Sequence, residues 1–303
     1  MPTERRPVNA ASCRDFRAGV GRCKLRVPWF AHNAKNAAIR HEDPRQRHAA
    51  PARALHRVPT FHVAAMSGLA FVCNGASLLA RTDGALWWPE ERLLAVADLH
   101  LEKGTWYGMR TGQLLPPYDT RATLARLALA IEQTKPRIVL CVGDSFHDGA
   151  AAARVDAADA AEIMRLVGAV RDWIWITGNH DPAPPRQWGG QASVELAFGP
   201  LVFRHQALAL PLTDTGGEVS GHYHPVASLV VRGRGLRRRC FLTDGMRLIL
   251  PSYGAYAGGL NARDDAVAAI FGGAYDALAI GAASVHRLPV RVLRRDLELS
   301  AAK

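Results

Sequence analysis

A chain of 303 residues with 49% hydrophobic content can fill one large core or two modest ones, so a globular class is expected. The formal charge of +11 suggests a nucleic-acid partner, but its distribution weakens that reading: residues 1–65 hold 13 Lys/Arg against 4 Asp/Glu, and the remaining 238 hold 25 against 23. No stretch approaches the ~18 consecutive apolar residues that cross a bilayer, so no membrane partner is expected, and five scattered cysteines without a CxxC pair argue against a disulfide framework or a zinc ribbon and fit a reducing cytoplasm.

Residues 1–65 mix Arg, His, Pro and Ala, place Pro at 2, 7, 28, 44, 51 and 59, and show no sustained period, so no fold is expected there. Three readings stay open: a disordered basic tail that holds nucleic acid, a targeting segment, and an extension produced by an upstream start codon. The last is preferred, because Met66 is followed by small residues and then by the first strand-like run, 69–73. One domain is expected over 66–303.

Within it, the turn residues Thr82-Asp83-Gly84 precede a strand at 93–97 that delivers Asp98 and His100. A loop with Pro116-Pro117 leads to a helix capped by Asp119, with Leu124, Leu127, Ala128 and Ile131 at i, i+3, i+4 and i+7, and Pro136 stops it. The run 138–142 reads as a strand buried on both faces and ends at Gly143-Asp144. A second helix is expected over 157–171 with Asp156 as its cap, then a strand at 173–177 delivering Gly178-Asn179-His180-Asp181. This alternation predicts right-handed crossovers and a mainly parallel sheet. Beyond Pro182 the pattern changes to short strands at 193–196, 201–205, 227–231, 239–243 and 247–250. Together the halves predict an α/β (α+β) fold of two sheets packed face to face with helices mainly outside.

The polar residues at these strand ends form ordered clusters. Each alone also fits an ordinary polar turn; the set is what argues for a metal site. Asp98 and His100 can turn towards one ion, and Asp144 has two carboxylate oxygens with which to bridge two. Gly143 lets the backbone approach closely. Asn179 offers a neutral oxygen while His180 stays free for acid chemistry. His222 and His224, at i and i+2, point to one side if the backbone is extended, and His205 gains weight only from the others. Mixed His, Asp and Asn donors favour two divalent transition-metal ions, manganese first, with iron or zinc as alternatives. Such a pair, typically ~3.5–4 Å apart, activates a bridging water and clamps a phosphoryl group.

The motifs D-x-H, G-D-x-x-H-D, G-N-H-D and G-H-x-H, in this order, resemble the calcineurin-like metallophosphoesterase superfamily over residues 69–303. That resemblance implies a two-sheet sandwich flanked by helices with a dinuclear site at the strand ends. It implies Asp98, His100, Asp144 and His224 on one metal, Asp144, Asn179, His205 and His222 on the other, and His180 as the catalytic histidine. His147 matches a position that resembles the motif of repair nucleases in the superfamily. Three further stretches, Ala97-Asp98-Leu99-His100-Leu101-Glu102-Lys103-Gly104, Gln113-Leu114-Leu115-Pro116-Pro117-Tyr118-Asp119-Thr120 and Ser252-Tyr253-Gly254-Ala255-Tyr256-Ala257-Gly258-Gly259-Leu260-Asn261, are similar to the PdeM group of bacterial ligase-associated phosphoesterases. This implies hydrolysis of phosphodiesters by a bridging hydroxide, DNA as substrate, a DNA ligase and a helicase as repair partners, and His147 and Asn261 as substrate contacts. A phosphomonoesterase with the same site, and a non-catalytic repair scaffold, remain the alternatives. The run Arg232, Arg234, Arg237, Arg238 and Arg239 reads as a solvated hairpin, with phosphate contact as the alternative. Oligomeric state is not legible.

Overall fold

The computed structural model describes residues 67–112, 118–209 and 216–296; the basic extension and residues 113–117 of the second PdeM-like stretch lie outside them. The chain opens as an antiparallel meander of β1 (Gly68–Cys73), β2 (Ala76–Arg81), β3 (Leu86–Trp88) and β4 (Leu93–Ala97). Asn74 and Gly75 turn the first hairpin at φ of 43° and 82°, and an Asn-Gly pair fits such a turn because both residues tolerate the left-handed region. After α1 (Lys103–Thr111) and α2 (Asp119–Thr134), β5 (Ile138–Val142) lies parallel to β4. After α3 (Ala157–Gly168), β6 (Asp172–Ile176) and β7 (Gln191–Ser193) extend the parallel half. The sheet is therefore mixed rather than mainly parallel: connections of two and four residues have no room for the crossover a parallel neighbour needs.

The second sheet collects β8 (Glu195–Phe198), β9 (Leu201–Arg204), β10 (Gly217–Ser220), β12 (Arg234–Thr243), β13 (Arg247–Ile249), β14 (Asp276–Ile280) and β15 (Val285–Pro289), with β11 (Val226–Val231) paired to β12 as a hairpin. Its order is β15-β14-β12-β13-β10-β9-β8, and α4 (Asp265–Phe271) packs on its outer face.

Strand alternation explains the layers. In β4, β5 and β6 the residues Leu93, Ala95, Ala97, Leu140, Val142, Ile174 and Ile176 face the second sheet and meet Phe203, Val219, Phe241, Leu248 and Leu278. Their neighbours Leu94, Val96, Val139, Cys141, Trp173 and Trp175 point the other way and pack under Leu124, Leu127, Ile131, Ile163 and Leu166 of α2 and α3. Burial on both faces is why these strands read as unbroken apolar runs.

Several expected boundaries move. Asp156 does cap α3, accepting from the Asp159 amide at 2.7 Å, but the helix ends at Gly168 rather than 171. Asp119 is the first residue of α2 rather than its cap, and its carboxylate accepts instead from the Gly104 amide of α1 at 2.9 Å. α1 itself falls where the sequence reads as loop, because Gly104 and Gly108 lower its intrinsic propensity. Tertiary bonds hold it: the buried Glu102 carboxylate accepts from the hydroxyls of Thr105 at 2.6 Å and Thr120 at 2.8 Å. β10, β14, β15 and α4 were also not expected. Among the described residues, no helix is long and apolar enough to cross a membrane.

Candidate metal centre

The D-x-H segment leaves β4 and runs beside the segment leaving β5. The Asp98 amide donates to the Gly143 carbonyl at 3.2 Å, His100 to Asp144 at 2.9 Å and Leu101 to Ser145 at 3.0 Å. Asp98, His100, Asp144, His222 and His224 all hold positive φ, at 52°, 44°, 43°, 72° and 46°. A non-glycine residue in that region costs on the order of 1 kcal/mol or more, so the packed strands around them must over-determine the conformation. Two glycines make the approach possible: a Cβ on Gly143 would run into the His205 ring, and one on Gly178 into the Asp144 carboxylate.

These backbones gather the seven expected donors. Asp98, His100 and His224 offer ligand atoms within 4.8 Å of one another, and so do Asp144, His205 and His222. The Nε2 atoms of His100 and His224 are 3.2 Å apart, and His224 Nε2 lies 3.5 Å from an Asp98 oxygen. In the second group, Asn179 Oδ1 is 2.8 Å from His205 Nε2 and 3.0 Å from His222 Nδ1. Asp144 Oδ2 stands between the groups, 3.4 Å from His205 Nε2 and 4.0 Å from His100 Nε2.

Two details depart from the sequence reading. His222 and His224 are not in extended backbone; their left-handed turns send one ring to each group. Asp144 does not have both oxygens free, since Oδ1 accepts from the His180 amide at 2.9 Å and only Oδ2 faces both groups.

Asp98, His100, Asp144 and His205 form a buried floor, while Asn179 and His180 are exposed at the mouth. Burial, reinforced by the like-charged His224, drives the His100 pKa down to about 2, leaving a neutral ring with a lone pair. Burial alone would raise Asp144, but the His205 hydrogen bond and charge, the His180 amide and His100 outweigh it and bring the carboxyl to about 2. Asp181 lacks such neighbours: burial pushes it up to about 7 against the amide bonds it accepts. Imidazole nitrogens and carboxylate oxygens converging within a few ångströms fit a divalent transition metal in each group.

His180 belongs to a third group with His100 and His147. Its Nδ1–H donates to the His147 carbonyl at 2.8 Å, and the His147 ring stacks on it at 5.2 Å. Burial, helped by Lys103 and His180, lowers His147 to about 4. Asn261 is engaged elsewhere: its Nδ2 donates to the Arg294 carbonyl at 3.0 Å and to Asp296 at 2.7 Å, and its Oδ1 accepts from the Arg263 amide at 2.8 Å. The glycine-rich stretch before it backs the donors, with the Gly254 amide on the Asp98 carbonyl at 3.1 Å and Gly259 packed on the His224 carbonyl. Arg239 and Arg237 are spent holding that stretch, through the carbonyls of Ser252 at 2.9 Å and Gly259 at 2.7 Å, while Arg232 and Arg234 stay exposed. The sequence reading assigns no role to Asp181, which ties the loops after β5 and β6 together by accepting the Phe146 and Gly178 amides, each at 3.1 Å. Its place in Gly-Asn-His-Asp was the available signal.

A model of the calcineurin-like phosphoesterase family matches residues 91–248, just over half of the chain. The chain belongs to the calcineurin-like phosphoesterases. It is thus a hydrolytic phosphoesterase, and it carries His/Asp groups that could hold divalent metal. No curated protein sequence matches it. Among solved structures, the nuclease MPE of Pseudomonas putida is 28% identical, with 73% of this chain and 100% of that one covered, at a TM-score of 0.57. Yfce, a phosphoesterase from E. coli, is 14% identical, with 65% of this chain and 98% of that one covered, at a TM-score of 0.35.

Proposed function

We propose that this phosphoesterase is a nuclease that hydrolyses phosphodiester bonds at the strand-end cluster. The observation that carries the reading is the pairing of two donor triads around Asp144 Oδ2 with a histidine outside both triads, held by its own hydrogen bond. Likeness to the P. putida nuclease across that protein's whole length supports the diester and nucleic-acid part.

Asp98, His100 and His224 would hold one divalent cation, and Asn179, His205 and His222 the other, with Asp144 shared; manganese suits the donor mix, and iron or zinc are the alternatives. Such cations supply Lewis-acid charge against phosphoryl oxygens and lower the pKa of water. The chain's own part is proton placement. With Nδ1–H committed to the His147 carbonyl, the exposed His180 ring has Nε2 left for catalysis: in its imidazolium form it gives the Nε2 proton to the departing oxygen and is left as the neutral Nδ1–H ring. Asp144 fixes that histidine's backbone through its amide.

Purified protein supplied with Mn²⁺ should cleave bis(4-nitrophenyl) phosphate and oligonucleotides faster than 4-nitrophenyl phosphate, and Asp144→Ala should take the rate to background and abolish metal uptake. Faster turnover of the monoester would overturn the diester reading. DNA as the target, with a ligase and a helicase as partners, rests on the PdeM-like stretches. Neighbouring ligase and helicase genes would support it, and their absence would count against it.

A further inference from the structure

The helix α1 begins three residues after His100, and its residues Lys103, Trp106 and Arg110 recur at i, i+3 and i+7, so they share one face. Trp106 is unusual in this chain. The other described tryptophans, Trp87, Trp88, Trp173, Trp175 and Trp188, are buried in the cores, whereas Trp106 is half-buried and packs in none of them. Its indole meets the His147 ring edge-on, with centroids 4.6 Å apart and planes at 77°, and the His147 ring in turn stacks on His180. The row His180, His147, Trp106 therefore leads from the candidate proton donor straight onto α1. The Arg110 guanidinium lies 5.2 Å from the centroid of the indole, and Lys103, one turn before Trp106 on the same helix, adds a second cation to that face. This face is anchored rather than loose: Glu102 holds Thr105 and Thr120, and Asp119 holds the Gly104 amide.

A half-buried indole outside the cores, with a planar cation over it and a basic group beside it, one aromatic step from the candidate phosphoryl-transfer site, matches the chemistry of a nucleotide: a π-face for the base and positive charge for the backbone. We propose that the Lys103–Trp106–Arg110 face of α1 is the subsite for the nucleotide flanking the scissile phosphate, with Trp106 stacking its base and the two cations taking adjoining phosphate charge. The proposal rests on the nuclease reading and adds the residues that select a base-bearing diester over a plain one.

Two substrates with one leaving group separate these effects: thymidine 5′-(4-nitrophenyl phosphate) and methyl 4-nitrophenyl phosphate, both assayed with the Mn²⁺-loaded enzyme. The wild type should prefer the nucleoside ester. Trp106→Ala should shrink the ratio of the two kcat/KM values by roughly 5- to 100-fold, through KM, the range that stacking of one base implies. Trp106→Phe should keep most of the ratio, and Arg110→Ala, at an exposed position where folding is not at stake, should lower it by less. A ratio unchanged in Trp106→Ala overturns the subsite. So does an equal fall on both substrates, which would make the indole a support for His147. If the wild type cleaves the methyl ester but no oligothymidylate, the nuclease reading fails and the subsite falls with it, a result distinct from either of the others.

Discussion

Two regions of this phosphoesterase bury charge to a similar degree and use it in opposite ways. At the strand ends, Asp98, His100, Asp144 and His205 are between 0% and 8% exposed; on the second sheet, Glu218 and Arg247 are each 2% exposed. The second pair is compensated within the chain. Arg247 Nη1 lies 3.4 Å from Glu218, the Leu208 amide donates to Glu218 at 3.0 Å, and Arg247 donates to the Leu208 carbonyl at 2.7 Å, which fastens the segment just past His205. Both residues sit in ordinary strand backbone, β10 and β13. The strand-end cluster instead places nitrogens against nitrogens at 3.1 and 3.2 Å on left-handed backbone. A buried ion pair stabilises a shape; donors converging without counter-charge make a place for a cation. Burial alone does not distinguish structure from chemistry, but the state of compensation does.

Breaking each region should therefore give different signatures. The largest effect is expected at the mouth of the cluster. His180→Gln should lower turnover by ~10² to 10⁴, the usual contribution of a general acid. Metal content and melting temperature should stay near wild type, because the ring is exposed. Loss of metal in that variant, measured by elemental analysis, would move His180 into the ligand set. The pair on the second sheet should show the reverse. Arg247→Met leaves the buried Glu218 with Arg204, 3.2 Å away, as its remaining ionic partner and removes the bond to the Leu208 carbonyl, and it should destabilise the fold by up to about 3 kcal/mol in denaturant titration. The double variant Arg247→Met, Glu218→Leu should recover much of that, whereas no apolar replacement should rescue the cluster's activity.

A smaller, pH-dependent effect sharpens the contrast. His100 is held neutral in the metal-free fold, with its pKa lowered from 6.5 to about 2, so the unfolded chain binds the proton more readily. Stability from this group is complete above pH 6.5 and is lost as pH falls below it, with a slope of up to about 1.4 kcal/mol per pH unit. Chemical denaturation of metal-free protein between pH 5 and 6.5 should show a shallower pH slope in His100→Asn. Equal slopes would mean that His100 is solvated rather than buried among like charges.

Legibility in the sequence followed the same division. The strand 138–142 was placed to the residue, and the ligand clusters were placed at strand ends, because doubly buried strands leave unbroken apolar runs and polar residues after them stand out. α1 reads as loop in the sequence because two glycines hide its period, and Glu102 and Asp119, which fix it, act from outside the helix. β10 escaped because Gly217-Glu218-Val219-Ser220 carries no strand pattern, and its buried glutamate makes sense only opposite Arg247.

By itself, the sequence determined which donors exist and the order in which strands deliver them. It also determined the family, since motif residues and their spacing are properties of the chain. Only the tertiary structure decided how those donors are shared. That His222 and His224 serve different groups, that Asp144 faces both through Oδ2 alone, and that Trp106 stands beside His147 all depend on left-handed turns and on contacts between segments far apart in the chain. Spacing along a strand fixes the side to which a residue points, but where rings converge is set by the packing of two sheets, which no local pattern records.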